Sequence, residues 1–236
     1  MSWLVASAIR TDASALRDGD AELWRSLRRF NVPVQLAIAA SHHVATRARS
    51  AATAALIALA PCQSGSPELH HWVRIFAAGG SIRINPTHTM HAVDNLALSA
   101  VSIALGNRAW GMSLGGAPGM FWVGLELAAE RLTDDAEVVV FGGDQETSDR
   151  VSPAAGVALL FSREPVAEAG SGRAVRLVAV ERRRAPVPSR PRPHATGGAC
   201  DMLAQLQAQP SGRYTYTVPA SDGDGIDGVA IHWDLG

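Results

Sequence analysis

The run TAALIALAP, residues 53–61, holds no charged side chain and stops at Pro61. A short apolar run bounded by a breaker fits a strand covered on both faces, and this is the tightest constraint the chain places on its fold. Three more strand-like runs follow, EVVVFGG (137–143), GVALLFS (156–162) and AVRLVAV (174–180), separated by short turns. WLVASAI (3–9) reads as a first strand and GMSL (111–114) as a short one. Between them the spacing is helical. Leu23, Trp24, Leu27 and Phe30 place one or two amphipathic helices over 21–49. Ser66 and Pro67 open a helix ending at Gly79 and Gly80, and 90–105 predicts a strongly apolar helix stopped by Gly106. A further helix covers 119–132, with Glu126, Glu130 and Arg131 on its wet side. Strands alternating with helices and ending in adjacent strands predict an α/β layered domain over residues 1–184.

The stretch APVPSRPRPHATGG, 185–198, breaks this pattern and reads as an exposed linker. Beyond it, 199–236 holds a short helix near 199–208 and weak strands at 213–219 and 226–233, divided by SDGDG. No repeat of fixed period is present.

The chain has 236 residues and a formal charge of −1, with scattered arginines and one basic run, ERRR at 181–184. That balance gives no nucleic-acid face, and ERRR reads as a solvated strand end. Cys62 and Cys200 have no CxxC partner and suit a reduced cytoplasmic protein. The N-terminal segment lacks a basic start, its apolar run is broken by Arg10 and Asp12, and no run is long enough to span a bilayer.

Eight histidines raise a metal hypothesis. The adjacent pairs His42/His43 and His70/His71 point about 100° apart on a helix, which does not suit chelation. His88 and His91 share a helical face, but no third ligand accompanies them, so no metal is expected. GSGR at 170–173 lacks the strand and helix of a phosphate loop and reads as a turn; no cofactor is expected. Ser113 in GMSLG is close to a GxSxG elbow but lies inside the strand. Asp144, Gln145 and Glu146 follow a strand end and read as a solvated acidic loop. Cys62 precedes a helix, where a thiolate would be activated, although a half-buried turn residue is the plainer account; Cys200 has less context still.

The sharpest feature is MSLGGAPGMFW, 112–122. A strand runs through small residues into a helix, as where enzymes present a nucleophile at a helix N-terminus, yet the tip reads Ala117 and Pro118. The segments ALIALAPCQSGSPELHHWVRIFAAGG, INPTHTMHAVDNLALSAVSIALGNRAW, MSLGGAPGMFWVGLELAAERL and EVVVFGGDQE, laid in order, resemble the N-terminal half of β-ketoacyl synthases, which have the thiolase fold. Asn95, Ser102, Ile103, Leu105, Gly106 and Arg108 match the NxxAGxxSIxLGxRGP pattern. FGGDQE resembles the AGGxE strand end, and SPAAGVALLFSRE the GEGAGVLVLEE strand. The resemblance covers roughly 50–182.

Counting from Asn95, the position of the synthase cysteine is Pro118, which has no nucleophilic atom. The synthase insertion between GGxE and GEGAG is reduced to about ten residues, and His194 and His232 sit in no synthase-like histidine motif. The resemblance therefore implies a short, thiolase-like form, with the C-terminal half largely missing, similar to the chain-length factors of type II polyketide and aryl-polyene or polyene systems. Such a factor is a catalytically silent paralogue that forms a heterodimer with an active ketosynthase, shapes an acyl tunnel at the interface, and receives chains from an acyl carrier protein. Usual factors carry Gln where this chain has Pro118. The resemblance makes the helix 90–105 and its entry loop the interface, with His88, Thr89, Met90, His91, Val93, Asp94 and Leu98 as contact and tunnel residues. A helix apolar on every side is also expected to be buried on every side, by its own core and a partner or wholly inside one chain. The alternatives are a stand-alone thiolase-fold acyltransferase or thioesterase using Cys62 or an Asp144/Glu146 base, and a non-catalytic acyl-binding α/β protein.

Overall fold

The apolar runs become the centre of a sheet. The computed structural model describes residues 1–14, 21–60, 73–79, 95–115, 120–144, 154–165, 174–183, 195–218 and 228–236. Its strands are β1 (Ser2–Arg10), β2 (Ala55–Leu59), β3 (Gly111–Leu114), β4 (Glu137–Asp144), β5 (Ala155–Ser162), β6 (Val175–Arg183), β7 (Gly212–Val218) and β8 (Gly228–Leu235). Its helices are α1 (Ala21–Leu27), α2 (Val32–Ala45), α3 (Leu96–Ala104), α4 (Met120–Arg131) and α5 (Ala195–Ala208).

All eight strands join one mixed sheet in the order β3-β2-β4-β5-β1-β6-β8-β7. β3, β2 and β4 are parallel, and every later pairing is antiparallel. α4 and α5 cover one face around Phe121, Phe161 and Trp233, while α1, α2 and α3 cover the other around Leu36, Phe141 and Leu160. Two covered faces explain why β2 and β4 are buried at every position. Each large apolar side chain taken from water there contributes about 1.5–3 kcal/mol.

Local chemistry sets the helix ends. The span 21–49 divides into two helices because the Asn31 side chain caps α2 by accepting from the Val34 N–H, with Pro33 in the first turn. Gly106, at φ +60°, closes α3: its N–H donates to Ile103 and the Asn107 N–H to Ser102, the paired bonds of a Schellman turn. Gly79, at φ +73°, ends the helical residues 73–77 in the same left-handed conformation. α2 is seated by a cross-strand glycine pair. Gly143 of β4 lies opposite Gly156 of β5, and a β-carbon on either would meet the Pro33 or Leu36 carbonyl oxygen at 1.9 or 2.3 Å.

Two expectations need correction. α5 begins at Ala195, inside the stretch 185–198 read as linker, and the strands beyond it join the main sheet. β8 lies between β6 and β7 with Ile231 and Trp233 fully buried, because a strand with alternating apolar residues finds its cover in the α4–α5 layer. The described part of the 90–105 helix is also not internal to this chain, so of the two readings of an all-apolar helix the wholly internal one fails. Only Ala97, Ala100 and Val101 are buried, while Ile103 is 75% exposed, because α3 lies on the outermost strands and has sheet beneath one side only.

Candidate functional site

β2 and β3 end level with one another, and β4 runs two residues further, to Asp144. Leu59 of β2 pairs with Leu114 of β3 and with Gly142 of β4, so the three carboxyl ends form one rim, where sites collect on parallel sheets. The candidates Cys62, Pro118 and Glu146 follow those three strand ends in sequence. They lie outside the described residues, as do Gln145, His70, His71, His194 and the interface candidates His88, Thr89, Met90, His91, Val93 and Asp94.

The frame of the elbow is present. β3 stops at Leu114 and α4 starts at Met120. The Ala60 N–H donates to the Leu114 carbonyl at 2.9 Å, carrying the β2–β3 ladder to the rim. Gly124 brings α4 onto the sheet: a β-carbon there would meet Leu59, Val140 and Leu114 side chains at 3.2–3.6 Å. β3 and α4 thus pack against the same end of the sheet, and residues 116–119 between them, Pro118 included, lie outside the described residues. Proline has no ionisable atom and no backbone N–H. Leu98 is partly buried and packs inside its own chain, 3.1 Å from where a Gly111 β-carbon would sit.

The remaining reactive groups are dispersed. Cys200 is on α5 against the core, and burial pushes its thiol up to about 12, with Asp201 adding to the rise, so it stays protonated and inert. Ser113 lies within β3, paired with Ala58. Asp144 differs from its sequence reading: it is the last residue of β4, opposite Ala155 and only 3% exposed, because the antiparallel ladder with β5 runs to the strand's end. His43 is held below the usual histidine value by burial, then by Arg10, Arg47 and His42. Among the described residues no three His, Cys, Asp or Glu side chains converge as metal ligands would. His232, on β8, stands between Thr215 Oγ1 at 2.9 Å and Glu181 Oε2 at 3.4 Å, a cross-strand array on the sheet face away from Trp233. Sequence reasoning did not pair these residues; their only trace was the alternation of threonine with tyrosine at 214–217.

No family model matches the sequence. No curated protein matches it either. Solved structures do match its shape. A chain of the ketosynthase ApeO in complex with its chain length factor ApeC, from Xenorhabdus doucetiae, aligns with a TM-score of 0.59 and 15% identity over 89% of this chain and 80% of that one. The ishigamide ketosynthase/chain length factor aligns at 0.64 and 12%, over 99% and 98%. The fold is that of the thiolase-like ketosynthases. Cerulenin-bound OleA from Xanthomonas campestris shares it at 0.51 and 10%, over 99% and 96%. At 236 residues this chain is a short form of the ketosynthase fold, and the alignments span almost all of it, α5, β7 and β8 included. Among the described residues no helix is long and apolar enough to cross a membrane.

Proposed function

We propose that this chain is a catalytically silent, chain-length-factor-like subunit that pairs with an active ketosynthase and shapes the acyl tunnel at their interface, in type II, polyene-type polyketide biosynthesis in the cytoplasm. The observation that supports the reading is the strand–helix pair β3–α4, packed on one end of the sheet, whose connecting sequence has Pro118 where the resemblance puts the cysteine, with the described thiol, Cys200, buried elsewhere. Acyl transfer to the protein at the elbow is chemically closed, so the partner would supply the nucleophile and histidines.

The sheet edge supports the pairing. β3 ends the sheet, is four residues long and is half-exposed, with Met112 at 40%. An edge strand of this kind presents backbone donors and acceptors to another chain. Likeness to chains from ketosynthase and chain length factor structures agrees with such an assembly. His88, Thr89, His91, Val93 and Asp94 are then interface residues, Met90 and Leu98 set the tunnel length, and an acyl carrier protein delivers malonyl and acyl groups to the complex.

The test is co-expression with a ketosynthase from the same host, tagging only this chain, and mass determination of the eluted species. A stable one-to-one complex, with Met90→Trp or Leu98→Trp shortening its products, supports the reading. A monomer that ignores the ketosynthase overturns it.

A further inference from the structure

We draw no further inference here: the strongest candidate, the apolar groove between α1 and α3 lined by Leu23, Phe30, Ala100 and Ile103, has one cation, Arg29, and one carboxylate, Glu22, in its lining, and nothing in the structure shows what covers it.

Discussion

Gly143 of β4 lies so close beneath Pro33 of α2 that a β-carbon on the glycine would stand 1.9 Å from the proline's carbonyl oxygen. Neither backbone can give way without lifting α2 from the sheet. Gly143→Ala is therefore expected to cost at least about 3 kcal/mol, read by urea unfolding. Gly124→Ala is the contrast. Its new methyl group meets only side chains, at 3.2–3.6 Å, and gains helix propensity of about 1 kcal/mol, so its stability should stay within about 1 kcal/mol of the parent.

The same sheet is tied at its end by Glu137, which is buried and accepts from the Arg49 N–H at 2.9 and 3.0 Å and the Ser50 N–H at 3.4 Å. Glu137→Ala leaves those donors unpaired and should cost about 2–3 kcal/mol in the same assay. Glu137→Gln keeps one acceptor oxygen and should lose about half as much.

Cys200 gives a pH test. Burial raises its thiol to about 12 in the fold from 9.0 when free. The unfolded chain then releases this proton first as pH rises, so stability is fully present below about pH 9 and declines above it, by at most about 1.4 kcal/mol per pH unit. Denaturation series at pH 7 to 10 should show the decline, and Cys200→Ala should flatten it. A thiol reagent should label Cys200 of the folded protein far more slowly than a free cysteine.

His43 has the opposite sign. Its folded value lies below the ordinary 6.5, through burial and then its cationic neighbours. The unfolded chain binds this proton first as pH falls, so stability drops below about pH 6.5. Exposure to solvent keeps the effect small. The His43 ring resonances should titrate with a midpoint below 6.5, and His43→Gln should reduce the stability slope on the acid side.

The β3 edge gives a functional test with its own control. Met112 is 40% exposed, so Met112→Asp should leave the thermal midpoint within a few degrees. It would place a charge at the proposed ketosynthase contact and should weaken the heterodimer at least about tenfold by titration.

Much of this was legible in the residues. TAALIALAP, EVVVFGG and GVALLFS announced the central strands because a strand covered on both faces has no side on which to show polarity. Gly79 and Gly106 announced helix ends because their positive φ disfavours other residues.

Strand order could not be read this way. The alternation that makes β7 and β8 plausible strands does not say that β8 sits beside β6 and so carries one sheet across the Pro-rich stretch, or that β1 joins β5 to β6. The glycines of FGGDQE resemble the AGGxE strand end, and only packing says why they are glycines: a β-carbon on Gly143 would meet the Pro33 carbonyl oxygen, and one on Gly142 would lie 2.7 Å from Thr196 Oγ1. Asp144 was misjudged for the same reason: a residue's pattern gives its local period, and only its neighbours decide whether it meets water. Element type and helix ends followed from short-range geometry. The single sheet, the seat of α2 and the open groove between α1 and α3 were decided by long-range packing.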